Sequence, residues 1–546
     1  MANKKRGKKS TAANDDRDNT KRHATATAPV DDNTTLVPAA VLSRILDYSS
    51  QATVLNVAAV CKSWRGVAQA HELYYAHVSL DGDGCGSVAE HSEKSKKFFV
   101  SIFDAVHDAH FKRLHVFLSS PTPDEVDDFE DGDDEVDEIM INNLTAVKMI
   151  EIQMRYIVHL DMSLPYTYKA LLEMFLRTKP APVLEELYFC FDGEPEAGPG
   201  PFASLPPDLF HDSAPALKSV TLTGVELTAK PVRAFANVRR VSLQQYSSEA
   251  LLFVPHNFPG TTHLTLDFLD ADFDNRYIGL DEPVPPQAVK SLGARLQHLE
   301  LNLYASEMGL PTQLRTILEK QAIPSIAVSL CADEEEDDSE IAGAYDFAPF
   351  LAHVGKPYRV VLRRERQYSG PTAEDWERRP HDAEASLVME VFSLGSHFKR
   401  KFTALEPLPA SETALLRRLP ELAPHIRELE VADVLLRELF RELDSGSLPR
   451  LKRLTIDFDS PQRDEANAWE DFARRGSGKI ECSNLESVTL RCVMAYRPSV
   501  NDQDVANVLA RFKPGSKLPE LCCTGVTLSA GDDGSLLSSM VEMRIA

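Results

Sequence analysis

Apolar residues recur along most of the chain at i, i+3 and i+5, often as Leu-x-x-Leu-x-Leu. The units are FKRLHVFL (111–118), LEELYFCF (184–191), LKSVTLTG (217–224), VRRVSLQQ (238–245), TTHLTLDF (261–268), LQHLELNL (296–303), IRELEVAD (426–433), LKRLTIDF (451–458) and LESVTLRC (485–492). The last two apolar positions of each lie two apart, so in a strand they share a face, while the first turns in at the corner. Each unit therefore predicts a short strand with one buried face. VKMIEIQM (147–154), IPSIAVSL (323–330) and YRVVLRRE (358–365) read as weaker units of the same kind. Segments between them carry helical periodicity: residues 167–178 through Leu171, Leu172, Phe175 and Leu176, residues 311–321 through Leu314, Ile317 and Leu318, and residues 501–515 from an Asn501 cap to Gly515. A strand-plus-helix unit of this size cannot bury its own apolar face. Stacking, with parallel strands on one wall and helices on the other, is the expected solution. Steps of 33, 21, 23 and 35 residues separate Leu187, Val220, Val241, Leu264 and Leu299, within the range that marks stacked repeats. Ordinary α/β units sharing one parallel sheet are the alternative.

The pattern over residues 96–530 resembles leucine-rich repeats of the irregular kind. The Asn or Cys that closes a regular repeat is replaced by Val225, Tyr246, Tyr304, Asp459 and Val493. The expected fold class is α/β, a leucine-rich-repeat solenoid with helices outside. Residues between and just after the buried strand positions point out from the wall. Thr223, Gln244, Asp267, Asn302, Asp457 and Arg491 are thus the candidates to contact a protein target, with a plain solvated sheet face as the other reading.

The stretch LVPAAVLSRILDYSSQATVLNVAAVCKSWRGVA (36–68) differs from the rest. Val37, Val41, Leu42, Ile45 and Leu46 fall on one side of a first helix with Pro38 in its first turn, where a missing N–H does no harm. Val54, Val57, Ala58, Cys61, Trp64 and Ala68 do the same for a second helix, and Leu73, Tyr74, Val78 and Leu80 close the segment. So short a module has too little interior to stand alone. The order Val37-Pro38, Val41-Leu42, Ile45-Leu46 and Val60-Cys61-Lys62-x-Trp64 over residues 36–80 resembles an F-box, with Ala40 where the family usually has Glu and Ser49 where Leu is common. The resemblance implies docking onto the Skp adaptor of a cullin-RING ubiquitin ligase. Val37, Pro38, Val41, Leu42, Ile45 and Leu46 would then form much of the adaptor face, with Val60 and Trp64 shared between that face and the helical core. A helical cap on the first repeat is the other reading of the same apolar stripes.

The formal charge of −24 makes nucleic acid an unexpected partner, because phosphate binding needs Lys and Arg clustered on one face. Residues 1–33 are basic and lack aromatic residues, a composition that predicts a disordered tail, and residues 531–546 read as a C-terminal tail. The runs at 124–138 and 333–340, with 11 Asp/Glu in 15 residues and 7 in 8, predict extruded acidic loops. No stretch approaches the roughly 20 apolar residues that span a bilayer, so no membrane partner is expected and the protein should be unsecreted, in cytoplasm or nucleus. Eight cysteines without metal-ligand spacing suggest free thiols. No phosphate loop, nucleophile elbow or zinc-helix motif is found, so no catalytic residue, metal or cofactor is expected. The functional expectation is a non-catalytic substrate-recognition subunit of a Skp-cullin-F-box ubiquitin ligase, its target unspecified. The alternative is a ligase-independent repeat scaffold that binds basic partners through its acidic loops.

Overall fold

A computed structural model of the chain describes residues 37–71, 77–82, 88–107, 114–120, 133–165, 176–192, 203–227, 230–244, 250–267, 286–304, 312–331, 347–366, 385–404, 415–443, 446–458, 468–492, 498–515, 517–529 and 535–544. The chain divides into two units, Met1–Tyr74 and Tyr75–Ala546. Among the described residues no helix is long and apolar enough to cross a membrane.

The first unit holds three short helices, α1 (Ala39–Leu46), α2 (Gln51–Val60) and α3 (Lys62–Ala70). Pro38 stands at the N-cap of α1, and the Ser50 hydroxyl caps α2 by accepting from the Thr53 amide at 3.3 Å. The apolar spacing predicts one continuous helix through Cys61, but the structure breaks it there. Cys61 is extended (φ −155°, ψ 169°) and caps α3, its Sγ accepting from the Trp64 amide at 3.4 Å. Arg65 Nε bridges the break by donating to the Ala58 carbonyl at 2.9 Å. Across the break Trp64, Val67 and Ala68 still pack onto a small core with Leu42, Leu46, Val54 and Ala58.

The second unit is built on an open sheet of 17 strands. In chain order they are β1 (His77–Leu80), β2 (Leu114–Ser119), β3 (Ile157–Pro165), β4 (Glu186–Asp192), β5 (Ser219–Thr223), β6 (Arg240–Gln244), β7 (His263–Asp267), β8 (His298–Tyr304), β9 (Ser325–Cys331), β10 (Tyr358–Arg366), β11 (Ala385–Ser393), β12 (Lys399–Ala404), β13 (Ile426–Ala432), β14 (Arg453–Asp457), β15 (Ser487–Arg491), β16 (Glu520–Thr524) and β17 (Glu542–Arg544). The strands lie side by side in chain order and parallel, with one exception. β12 pairs with β9 and β10 pairs with β13, both parallel, while β11 runs antiparallel between β12 and β10. Three strands are thus inserted in reverse order. The short connection of β11 to β12 is possible because antiparallel neighbours need no crossover.

One face of the sheet is apolar in continuous rows, as the repeated units predict. Val116, Leu160, Leu187, Val220, Val241, Leu264, Leu299 and Ile326 are successive cross-strand partners, all buried. Helix residues such as Phe98, Val147, Ile317 and Val508 belong to the same core. The row meets Arg400 on β12, a fully buried arginine. Its guanidinium donates to the carbonyls of Phe350 at 2.6 Å, Ile323 at 3.0 Å and Lys399 at 2.8 Å, so backbone oxygens replace the water it lost. Burial pulls its pKa down to about 10.

Several expectations are corrected. VKMIEIQM is not a strand but the end of helix α5 (Asp133–Gln153), which follows α4 (Val88–His107). Ile139, Asn143, Ala146, Val147 and Ile150 are buried at helical spacing, which the short alternating window concealed. The strand of that repeat is β3, ten residues further on. The end of the acidic run 124–138 starts α5 instead of looping out, consistent with the preference for negative charge at a helix N-terminus. The rest of that run, the 333–340 run, most of the predicted 167–178 helix and the 1–33 tail lie outside the described residues. His77–Leu80, at the end of the expected helical module, also pairs with β2 as the first strand of the sheet. Residues 535–544 form a helix and β17 instead of a tail, burying Leu537 and Val541.

Candidate functional site

Two surfaces carry the candidate residues. On α1, Leu42 and Leu46 point into the helical core, while Val41 (49% exposed) and Ile45 (53%) point outward together with Tyr48 (81%) just past the helix end. Spacing of i, i+4 and i+7 puts these three on one stripe. Arg44 lies over the Tyr48 ring at 5.8 Å and pairs with Asp47 at 3.6 Å, giving the apolar stripe a charged edge. Pro38 is exposed, Val60 at the end of α2 is 54% exposed, and Val37 and Trp64 pack partly against the core. The eight residues predicted for an adaptor face are therefore divided. Leu42 and Leu46 serve the interior, Val37 and Trp64 lie between interior and surface, and Pro38, Val41, Ile45 and Val60 face outward. Tyr48, absent from the sequence prediction, joins Val41 and Ile45.

On the sheet, the face opposite the apolar rows is polar. Thr223, Gln244, Asp267 and Asn302 are consecutive cross-strand partners on β5 to β8 and form one row. Thr223 donates to Gln244 Oε1 at 2.8 Å and is itself buried. Burial pushes the Asp267 carboxyl up, opposed by a hydrogen bond from Asn302. Asp457 and Arg491, paired on β14 and β15, are separated from that row by five strands, so the six predicted contact residues form two groups. At the second group Arg491 donates to both Asp457 and Glu430, and Arg359 reaches Glu430 from the other side at 2.8 Å.

The polar face of the first four strands was overlooked in the sequence. His77, His115, His159 and Glu186 form one row, with ring centroids of the histidines 4.5 and 4.0 Å apart and His159 Nδ1 2.9 Å from Glu186 Oε2. Burial, then the charges of His159 and His77, lowers the His115 pKa to about 4. The next row along the strands is Phe117, Asp161 and Tyr188. Burial pushes Asp161 up to about 6 and Tyr188 up to about 12. The available signal was the alternate positions of FKRLHVFL and LEELYFCF, which carry His115, Phe117 and Tyr188. Asp161 lies on β3, which none of the repeated units covers. Among the described residues no group of three or more His, Cys, Asp or Glu is arranged to hold a metal ion. The described cysteines, among them Cys61, Cys190 and Cys482, are free thiols.

A family model decides the nature of the helical unit. Residues 35–79 match the F-box-like family. The F-box-like segment so defined contains all of α1, α2 and α3, and therefore the exposed Val41, Ile45 and Tyr48 stripe. No family match accompanies the leucine-rich-repeat reading; the strand unit is a large, mostly parallel α/β sheet compatible with a solenoid. Among curated proteins, none matches this chain in sequence.

Proposed function

We propose that this chain is the substrate-recognition subunit of a Skp-cullin-F-box ubiquitin ligase. The F-box-like segment docks the Skp adaptor, and the polar face of the sheet holds a target protein. The observation that supports it most is the uncovered stripe of Val41, Ile45 and Tyr48 within a segment matching the F-box-like family. Burying an exposed side chain of this size gains about 1.5 to 3 kcal/mol, discounted here by the part already covered. A partner therefore has a gain of a few kcal/mol to collect from α1 alone. In this reading the protein performs no bond chemistry with its own side chains. It raises the effective concentration of a target lysine near a ubiquitin-carrying enzyme held elsewhere in the assembly, in cytoplasm or nucleus.

The test is co-purification of the full chain with the Skp adaptor from the native cell extract, followed by Val41→Asp and Ile45→Asp. Both variants should fold and lose the adaptor. Capture of the adaptor by a folded double variant, or its absence from the wild-type complex, defeats the reading.

A further inference from the structure

Carboxylates elsewhere on the polar face have partners. Glu186 meets His159, Glu365 meets Lys401, Glu390 meets Lys399 and Arg363, and Glu430 meets Arg359 and Arg491. Asp161 is different. Its Oδ1 is buried with no hydrogen-bond partner, and among the described residues no cationic side chain pairs with it. The nearest imidazole on its own strand, His159, is engaged with Glu186 instead.

The flanking residues are aromatic on both sides. Phe117 on β2 and Tyr188 on β4 are the direct cross-strand partners of Asp161, so the two rings rise from backbones two strand spacings apart, roughly 9.6 Å, with the carboxylate between them. A carboxylate flanked by two aromatic side chains, in a half-desolvated setting and with no counter-charge among the described residues, is arranged to receive a cation. One carboxylate and two rings are a poor ligand set for a metal ion, which needs several hard or borderline donors. They suit an ammonium or guanidinium group on a flexible stem.

We propose that Phe117, Asp161 and Tyr188 form a slot for a cationic side chain, a lysine (methylated or not) or an arginine, presented by the bound protein. The raised Asp161 pKa fits this assignment, since a carboxylate awaiting its counter-ion bears the cost of desolvation alone. The proposal rests on the reading that the sheet unit holds the target, and it names the chemistry that the target must bring to this end of the sheet.

The test uses the full chain as bait in a display selection of random twelve-residue peptides, with Asp161→Asn and Tyr188→Leu chains selected in parallel and Tyr188→Phe as the ring-preserving control. Wild type and Tyr188→Phe should enrich peptides sharing one Lys or Arg position. Asp161→Asn and Tyr188→Leu should lose that enrichment. For a selected peptide made with lysine, trimethyl-lysine, arginine or norleucine at that position, norleucine should weaken wild-type binding at least tenfold and leave Asp161→Asn binding within twofold. The three cations rank the preferred form. Asp161→Asn is nearly isosteric and relieves a buried charge, so its melting temperature should not fall. Selection of no cationic peptide by the wild type, or equal cation preference in Asp161→Asn, overturns the slot. Adaptor co-purification separates the two proposals: Asp161→Asn should keep the adaptor, whereas failure of the wild type to bind the adaptor strikes the ligase reading and leaves the slot result standing.

Discussion

Arg359 donates to Glu430 at 2.8 Å across the seam where the reversed group of three strands rejoins the sequential order, β10 against β13. Arg491 takes the other carboxylate oxygen from two strands further along, so one glutamate ties three strands together. Burial alone would raise the Glu430 pKa, but hydrogen bonds and charge from Arg359 and Arg491 outweigh it and hold it below the ordinary carboxylate value. Glu430→Ala takes the shared acceptor from Arg359 and leaves Arg491 with Asp457 alone. It should cost about 1 to 3 kcal/mol at pH 7, read as a lower denaturation midpoint in urea. Because the folded-state pKa is depressed, this contribution is present above pH 4.5 and fades as pH falls through the folded value. Wild type and Glu430→Ala should therefore converge in strong acid.

The two sides of α1 should respond differently to mutation. Leu46→Ala removes a fully buried side chain from a very small core and should cost about 2 to 5 kcal/mol, melting the helical segment while the sheet unit stays folded. Val41→Ala, on the exposed stripe, should change stability by less than about 0.5 kcal/mol. Circular dichroism melts, combined with adaptor co-purification, separate loss of folding from loss of binding. Leu42→Asp belongs with the core variants, since Leu42 faces inward.

Adjacent rows on β2 and β3 should give opposite pH responses. His115 titrates near 4 in the fold and near 6.5 when unfolded, so the unfolded chain takes up its proton first. The stability that neutral His115 contributes above pH 6.5 is lost as pH falls from 6.5 toward 4. Asp161 titrates near 6 in the fold and near 3.8 when unfolded, so its protonation favours the fold as pH falls from 6 toward 3.8. Relative to wild type, His115→Phe should lose less stability on acidification from pH 7 to 4, and Asp161→Asn should lose more. Urea midpoints measured across that range check both signs.

Two glycines mark equivalent corners of the sheet. Gly224 follows β5 with φ +65° and Gly525 follows β16 with φ +72°. A Cβ at Gly525 would run into the Cys492 carbonyl oxygen, and one at Gly224 would press on that of Phe191. Steric cost adds to the left-handed backbone penalty of about 1 to 2 kcal/mol. Gly525→Ala should destabilise the last strands by at least about 1 kcal/mol, seen as faster hydrogen exchange in β16 and β17.

Much of this protein was legible in the sequence because a strand's alternation is a property of neighbours in the chain. All nine strong units from FKRLHVFL to LESVTLRC became strands, and the Asn501 cap was placed correctly, its side chain accepting from the Gln503 amide at 2.8 Å. The apolar run ending in Val60-Cys61-Lys62-x-Trp64 likewise identified the segment that the F-box-like family model matches. VKMIEIQM failed because so short a window satisfies both periods, and only the helical spacing of the buried residues from Ile139 to Ile150 distinguishes them.

Tertiary structure alone decided the rest. Partner choice is a free-energy comparison between segments far apart in sequence, so nothing local indicates that β12 lies beside β9 or that Arg400 interrupts an apolar row, its guanidinium held by backbone carbonyls. The same holds for the face each apolar residue of α1 turns to solvent, which depends on the break at Cys61. It holds most for Asp161, whose lack of a counter-ion became visible only once β2, β3 and β4 stood in register and every neighbouring charge had a partner of its own.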